Sequence, residues 1–228
     1  MQDIPVRNKE LLNILEKYRK FLTRDKDEIQ RVFHRSCKEH ANNRHWLTGE
    51  GHLQEILDQG ERHEGFPDYM YGYEVSVSRK NHQFFSKDAH PLERKDRTAE
   101  LANLNRLISN WLGVRNTALT AFYPPGGFIS WHNNANAAAY NLIFTWSEEG
   151  NGQFDYVDPR TKEVVSMPDV KGWQCKAAYF GHYGEKDRLF YHCAKTDGWR
   201  VTVSFTFDTS SMSEDYRAEV IEEISSEE

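Results

Sequence analysis

The residues from 200 to 207 alternate strictly between polar and apolar side chains, and this alternation constrains the fold more than any other feature. The apolar set is Val201, Val203, Phe205 and Phe207, and the polar set is Arg200, Thr202, Ser204 and Thr206. A period of two predicts a β-strand with one apolar face. The polar face carries small side chains and a single cation at its head. We therefore predict that this face lines a cavity for an anionic group.

A second stretch, residues 140–146, alternates in a similar way. One face carries Leu142, Phe144 and Trp146, and the other carries Asn141, Ile143 and Thr145. Aromatic residues make up 13% of the chain, which favours a β-rich core. We therefore predict a mostly β fold with flanking helices. Asn141 and Thr145 share one strand face and are candidates for the wall of the cavity.

The elements predicted before this core include two clear helices and one further strand. Apolar residues at helical spacing indicate helices over residues 11–22 and 98–112. Thr98 is the expected N-cap of the second helix, and Gly113 is its expected C-terminal residue. Alternation of Tyr71, Tyr73, Val75 and Val77 predicts one strand over residues 69–78, which could extend the larger sheet. We expect the helices to pack on the outside of the sheet.

The length of 228 residues allows one domain with a sizeable core. We predict that this domain covers residues 1–208, and that an acidic segment follows over residues 209–228. Within the domain, residues 1–65 are expected to form helical support and residues 66–116 a strand, a loop and a helix. Residues 117–208 are expected to form the β core.

Charge and composition exclude several classes of partner. The net charge of −6 provides no electrostatic footprint for a long nucleic acid. No apolar run approaches the length of a membrane span, so we expect no membrane partner. The cysteines Cys37, Cys175 and Cys193 are too few for a disulfide framework, which favours a cytoplasmic, reducing compartment.

Several motifs follow one another in the predicted β core. They are Tyr123 with Gly126, His132 with Asn134, the glycine-rich turn at residues 150–152, His192, and Arg200 with Thr202. In this combination and order they resemble the motifs of the Fe(II)- and 2-oxoglutarate-dependent oxygenases, especially the prolyl-hydroxylase-like branch. The resemblance implies a double-stranded β-helix, also called a jelly roll, over residues 117–207.

The resemblance also implies a site and an activity. His132, Asn134 and His192 would bind Fe(II) and form the catalytic centre. Arg200 and Thr202 would bind the distal carboxylate of 2-oxoglutarate, with Tyr123 near the same group and Asn141 in the pocket wall. The implied reaction is hydroxylation of a protein side chain, with proline as one candidate, or of a small molecule.

Asn134 departs from the family pattern, which has a metal-binding carboxylate at this position. A carboxylate supplies negative charge and tight oxygen ligation to a hard cation, whereas an amide oxygen is a neutral and weaker donor. We therefore expect weakened rather than lost metal affinity. Asp155 and Asp158 are nearby carboxylates that could substitute, although neither has the spacing of the motif.

Two alternatives belong to other functional classes. One is a weakly active or inactive jelly-roll protein that binds a ligand or partner, which the asparagine favours. The other is a cupin-like isomerase or sugar-binding protein on a similar sandwich. His34, His40 and His45 share no ligand spacing and are expected to be ordinary histidines, and His182 is expected not to bind metal.

Overall fold

The computed structural model describes residues 1–24, 26–27, 29–31, 42–74, 94–114, 116–134, 137–185, 187–207 and 214–227. The strands are β1 (Gln2–Pro5), β2 (Met70–Tyr71), β3 (Tyr73–Glu74), β4 (Asn116–Tyr123), β5 (Phe128–His132), β6 (Ala139–Ser147), β7 (Gly152–Val157), β8 (Val164–Pro168), β9 (Gly172–Phe180), β10 (His192–Thr196) and β11 (Arg200–Phe207). The α-helices are α1 (Lys9–Leu22), α2 (Arg44–Leu47), α3 (Glu50–Gln59), α4 (Arg94–Leu112) and α5 (Glu214–Ser225). A 3₁₀ turn at Gly60–His63 follows α3.

Within these described ranges the strands form two antiparallel sheets. The larger sheet has the order β1-β9-β6-β11-β4-β3, and the smaller sheet has the order β2-β5-β10-β7-β8. From β4 onwards the chain passes repeatedly between the two sheets. The fold is therefore rich in antiparallel β structure, as the alternating strands predicted, and jelly-roll-like, as the resemblance implied.

The larger sheet separates two layers of different composition. One face packs against α1, α4 and α5 through an apolar core that includes Val201, Val203 and Phe205. The opposite face meets the smaller sheet through a second cluster that includes Tyr123, Phe154 and Phe180. Side chains of one strand alternate between its two faces, so the polar set of β11 lies between the sheets. Helix α3 packs against the outer face of the smaller sheet.

The first predicted helix agrees with α1, which begins after Asn8. The side chain of Asn8 accepts a hydrogen bond of 3.0 Å from the backbone N–H of Leu11 and so caps the helix. The second predicted helix begins four residues earlier than expected, at Arg94. Thr98 therefore lies inside α4 and is not its N-cap. The expected end is correct, since Gly113 follows the helix with a φ of 65°.

The predicted strand over residues 69–78 is instead divided into two short strands. Met70 and Tyr71 pair with β5 in the smaller sheet, whereas Tyr73 and Glu74 pair with β4 in the larger sheet. Gly72 lies at the crossing between them. The tyrosines thus lie in β structure as predicted, and β3 extends the larger sheet, but the prediction of one continuous strand through Gly72 is wrong.

Both terminal segments contribute to the larger sheet and its helical layer. The strand β1 pairs with β9, and the backbone N–H groups of Arg7 and Asn8 bond the carbonyl of Ile224 in α5. Val220 and Ile224 are buried in the outer core. The acidic segment expected over residues 209–228 thus includes a packed helix.

Some sequence predictions concern residues outside the described ranges. These residues are His34, Cys37, His40, Val75 and Val77. In the part of the chain that is described, no helix combines the length and apolarity needed to cross a bilayer.

Candidate active site

Two histidines from neighbouring strands lie side by side between the sheets. His132 is the last residue of β5 and His192 is the first residue of β10, and the two are direct partners in the antiparallel register. Their ring centroids are 4.1 Å apart. The sequence places these residues 60 positions apart, so the strand pairing brings them together.

Backbone carbonyls fix the orientation of both rings. The Nδ1 atom of His132 lies 2.8 Å from the carbonyl oxygen of Ser130, and Nδ1 of His192 lies 3.1 Å from that of Phe190. Because a carbonyl can only accept, each Nδ1 carries the proton and each Nε2 has the lone pair. Two imidazoles held in this tautomer are ready to bind a cation through Nε2.

Aromatic side chains pack around His192, and burial disfavours the charged form of both imidazoles. The rings of Phe154, Phe180 and Phe190 lie 4.8–5.9 Å from the ring of His192, centroid to centroid. Burial lowers the pKa of His132 to about 4, against the raising effect of the Ser130 carbonyl. Burial, and then the neighbouring His132, lower the pKa of His192 well below its usual value. Both rings are therefore neutral near pH 7, which is the form that binds metals.

Asn134 lies two residues beyond His132, in a left-handed backbone conformation with a φ of 61°. Asparagine adopts this region more readily than most residues. Its side chain is half-buried, and its backbone oxygen accepts a bond of 3.4 Å from the N–H of Ala137.

The two carboxylates suggested as substitutes are not placed to serve the histidine pair. Asp155 is the register partner of Cys193, so it lies on the opposite face of the smaller sheet from His192. Asp158 lies in a turn, where it accepts N–H bonds from Arg160 and Thr161. Across the residues that the structure describes, no group of three or more His, Cys, Asp or Glu side chains could hold a metal ion.

Arg200 is almost fully buried on the inner face of the larger sheet, next to the residues predicted to accompany it. Its Nη1 donates to Oγ1 of Thr202 at 2.8 Å, and its Nη2 donates to Oγ1 of Thr145 at 3.4 Å. The guanidinium carbon lies 5.6 Å from the ring centroid of Tyr123, within range of a cation–π contact. Asn141 lies on the same sheet face, where its Nδ2 donates to the carbonyl of Ala139 at 3.0 Å.

Sequence reasoning missed two charged residues beside Arg200. Asp169 follows β8, and its Oδ2 accepts a 2.7 Å bond from Nε of Arg200. Its Oδ1 lies 3.4 Å from Nζ of Lys176 in β9. The side chains of all three residues are at most 2% exposed. Arg200 thus already has one internal carboxylate, and no sequence pattern predicted it.

One aspartate and two further histidines form a separate group near the histidine pair. Oδ2 of Asp68 is 3.4 Å from Nε2 of His52 and 3.5 Å from Nε2 of His63, and both rings are buried. The adjacent His63 lowers the pKa of Asp68. His63 also lowers the pKa of His132 through its charge, although less than burial does.

Two surface clefts lie away from the centre of the site. One, of about 730 Å³, is lined by Phe190 together with Arg160, Arg188 and Arg217. The other, of about 610 Å³, is lined by His52 and Asp68. Neither cleft is lined by His132, His192 or Arg200. Phe190 lines the first cleft and also contacts His192.

Comparisons with known proteins find likenesses only among solved structures, since no family model and no curated protein matches the chain. A prolyl-4-hydroxylase from Pseudomonas putida is 15% identical over 67% of this chain and 82% of its own, with a TM-score of 0.29. A viral collagen prolyl hydroxylase from Paramecium bursaria Chlorella virus-1 is 12% identical over 70% of this chain and 91% of its own, also at 0.29. The ribosomal oxygenase YcfD from Escherichia coli is 15% identical over 54% of this chain and 30% of its own, again at 0.29. Such TM-scores are too low to support an inference about function.

Proposed function

We propose that this protein is an Fe(II)- and 2-oxoglutarate-dependent oxygenase that hydroxylates a protein side chain or a small molecule. The observation that carries the proposal is the histidine pair, in which two neutral imidazoles lie 4.1 Å apart with both Nδ1 atoms bonded to carbonyls. Two neutral imidazoles with their Nδ1 atoms held by carbonyls keep Nε2 as the atom that can bind a cation.

The strand order supports a double-stranded β-helix as the core of this enzyme. Strands β4, β6, β9 and β11 are neighbours in the larger sheet, and β5, β10, β7 and β8 are neighbours in the smaller one. Such alternation between two sheets is the connectivity of a jelly roll. It brings the first and last strands of the motif region, β4 and β11, next to each other.

The residues fit the proposed cofactors in part. His132 and His192 would hold the cation through Nε2, and the amide oxygen of Asn134 is a neutral candidate for the third donor. A bound 2-oxoglutarate would add its own oxygen donors and so compensate for the missing carboxylate. When bound, Fe(II) and 2-oxoglutarate supply oxidation of an unactivated C–H bond, coupled to decarboxylation of the cosubstrate to succinate.

The protein's own contribution is orientation and the exclusion of water. The carbonyls of Ser130 and Phe190 hold the two rings in the ligating tautomer. Phe154, Phe180 and Phe190 keep the pair in an apolar environment, where a reactive group is protected from solvent. Arg200 and Thr202 would orient the cosubstrate from the facing sheet.

The test combines metal binding with product formation. The protein is titrated with Mn(II), and succinate is measured after addition of Fe(II), oxygen and 2-oxoglutarate. We expect His132→Ala and His192→Ala to weaken Mn(II) binding by at least about 100-fold, more than is typical for the loss of an outer-shell partner. His182→Ala is the matched control, because that side chain is 44% exposed. Equal affinity in the His132 and His182 variants would refute the proposal.

A second candidate is a protein that binds a metal and an acidic ligand without turnover. It is favoured by Asn134 in place of a carboxylate and by Asp169, whose carboxylate already bonds Arg200. Mn(II) binding at the histidine pair without any release of succinate, across a panel of peptides and small molecules, would support this candidate over the oxygenase.

A further inference from the structure

We propose that the cleft between α2, α3 and the segment before β2 binds the ammonium group of a lysine side chain in a polypeptide partner. The cleft has a volume of about 610 Å³, and its lining includes Trp46, His52, Glu55, Asp68 and Tyr69. The inference rests on the proposed function only for the role of that polypeptide as the substrate. The binding site itself follows from charge, from unsatisfied polar atoms and from exposed aromatic rings.

The charge of the cleft is negative. The carboxylates of Glu55 and Asp68 line it with side chains 57% and 42% exposed, whereas the described residues that line it include no Lys or Arg. The adjacent His63 lowers the pKa of Asp68, so this carboxylate is ionised at neutral pH. Arg44, which adjoins the cleft in sequence, pairs with Asp197 instead, at 2.5 Å. A cation is therefore the ligand whose charge complements this cleft.

Two buried histidines beside Asp68 lack hydrogen bonds. Nε2 of His52 lies 3.4 Å from Oδ2 of Asp68, and Nε2 of His63 lies 3.5 Å from the same oxygen. Charge-assisted hydrogen bonds are about 2.7–2.9 Å long, and neither ring has a hydrogen-bond partner for its nitrogens among the described residues. Buried polar atoms are usually paired. His52 lines the cleft with a side chain 5% exposed, so its unsatisfied nitrogen is placed to meet a ligand.

The arrangement of these polar atoms favours an ammonium group. With the proton of His52 on Nδ1, which lies 3.5 Å from Oε2 of Glu55, the lone pair of Nε2 faces Asp68. Two acceptors at this separation need a donor that serves both, and an ammonium group has three N–H donors. A planar guanidinium instead prefers both oxygens of one carboxylate. The site therefore indicates lysine in preference to arginine.

Two aromatic rings in the lining suit the aliphatic stem of a lysine. Trp46 and Tyr69 are 51% and 38% exposed. A Cβ atom at Gly51 would lie 2.4 Å from Cζ3 of Trp46, so the absence of a side chain there lets the indole rest against α3. An indole ring attracts an ammonium group through its face, and it also packs against methylene groups. Trp46 thus provides an aromatic wall beside the two carboxylates.

The exposed surface around the cleft favours a polypeptide over a free amine. Among the described residues, four large apolar side chains between positions 46 and 69 are strongly exposed, namely Trp46, Leu57, Phe66 and Tyr69. Concentrated apolar exposure marks interaction surfaces, because isolated monomers rarely tolerate large apolar patches. A polypeptide would cover these side chains with its own residues, whereas a small amine would leave them in water.

Backbone bonds join the cleft to the strand that carries His132. The N–H of Ser130 donates to the carbonyl of Tyr69 at 2.9 Å, and the N–H of Tyr69 donates to Oγ of Ser130 at 3.1 Å. The N–H of Asn133 donates to the carbonyl of Gly65 at 3.3 Å. These bonds lie on both sides of His132 in the sequence. A polypeptide anchored by lysine in the cleft would therefore lie beside the proposed catalytic centre.

The test compares two peptides that differ only in the charged group. One is the acetylated and amidated peptide Gly-Gly-Lys-Gly-Gly, and the other has norleucine in place of lysine. NMR titration of the metal-free protein measures both affinities, and we expect shifts at Trp46 and Asp68. The norleucine peptide should bind at least about tenfold more weakly, as expected for a lost hydrogen bond to a charged group. No binding of the lysine peptide, equal affinity of the two peptides, or butylamine binding as tight as the lysine peptide would overturn the proposal.

Asp68→Asn tests the charge of the cleft. We expect it to weaken binding of the lysine peptide about tenfold, because the ammonium group loses its ionised acceptor. The matched control is Asp58→Asn, since Asp58 is an exposed carboxylate on α3 that accepts a bond of 2.8 Å from Gln54 and does not line the cleft. Equal affinity in the two variants would contradict the assignment.

Gly51→Ala tests the aromatic wall without removing a charged group. Alanine favours a helix more than glycine does, so α3 should persist, but the new Cβ atom displaces the indole of Trp46. We expect the lysine peptide to bind about 2- to 5-fold more weakly, as for the loss of an exposed cation–π contact. Unchanged affinity would reject Trp46 as part of the site.

These outcomes are separate from the fate of the oxygenase proposal. Peptide binding needs neither Fe(II) nor 2-oxoglutarate, so the cleft stands as a lysine site if the peptide binds but no succinate is ever formed. Conversely, succinate formation with unchanged affinity for the lysine peptide in Asp68→Asn would keep the oxygenase and reject this site.

Discussion

The layer between the sheets contains two polar centres, and they differ in how they offset the cost of removing ionisable groups from water. At the histidine pair, aromatic neighbours and burial remove the charge, and both imidazoles are neutral. At the cluster of Arg200, Lys176 and Asp169, ionisable groups of opposite sign are buried in contact with each other. Desolvation penalises charge at both centres, but only the second offers enough partners to offset it.

The difference shows how one sheet pair can present two kinds of binding chemistry. Neutral imidazoles offer lone pairs, which attract a cation, whereas clustered cations offer N–H donors, which attract an anion. The first centre belongs to the smaller sheet and the second to the larger sheet. A ligand that chelates a metal at one end and carries a carboxylate at the other would use both.

Asp169→Asn should give the largest effect, because it removes the only carboxylate that the described structure places between Arg200 and Lys176. We expect the free energy of unfolding in urea to fall by about 3–5 kcal/mol, as for other broken buried ion pairs. Glu149→Gln, which removes an exposed carboxylate paired with Lys171, should cost less than about 1 kcal/mol. Equal losses in the two variants would show that the cluster is not sensitive to charge, and the contrast between the two centres would fail.

The pH dependence of stability tests the other centre. The pKa of His132 is about 4 in the folded protein against 6.5 for an unperturbed histidine, so the unfolded chain binds more protons between these pH values. Stability is then complete above pH 6.5 and decreases as the pH falls towards 4, by about 3 kcal/mol from His132 alone. Urea unfolding at a series of pH values measures the slope. His132→Phe should flatten this slope and His182→Ala should not; the same slope in both variants would contradict a neutral buried pair.

Asn134→Asp should give the smallest free-energy change of the three variants. It tests whether residue 134 provides the third donor to the cation. Aspartate tolerates the left-handed backbone at this position, so the variant should fold. We expect Mn(II) affinity to rise about tenfold, or about 1.4 kcal/mol, because a charged oxygen donor replaces a neutral one. Asn151→Asp, at an exposed position, is the control. Unchanged affinity would mean that residue 134 does not face the cation.

The local patterns of the sequence predicted the elements that form the inner layer. Alternation in residues 200–207 predicted β11, and the burial of its polar face agrees with a lining position. The start of α4 was misplaced because Thr98 resembles a cap, whereas residues 94–97 contain no helix breaker and continue the helix. Gly72 marked the crossing of strands β2 and β3, but a glycine within alternating tyrosines does not reveal which sheet each half joins.

The residues that the sequence did not reveal are those fixed by long-range contacts. Asp169 precedes Arg200 by 31 positions and follows a different strand, so no spacing rule connects them. The sequence did contain a signal that Lys176 faces the inner layer. In β9 the polar residues Gln174 and Lys176 alternate with Cys175 and Ala177, just as polar and apolar residues alternate in β11. The pairing of two such half-polar strands on one face could have indicated a charged lining.

Gly72 joins the two sheets through a single backbone residue, and this joint has a mechanical consequence. The residues on either side of it are hydrogen-bonded into different sheets, so sliding of one sheet past the other would break backbone bonds. A Cβ atom there would lie 2.7 Å from Cδ1 of Tyr123, the ring that faces Arg200, so the joint admits no side chain. Gly72 therefore holds the two sheets at a fixed offset from each other. This offset sets the length of any molecule that reaches from one sheet to the other.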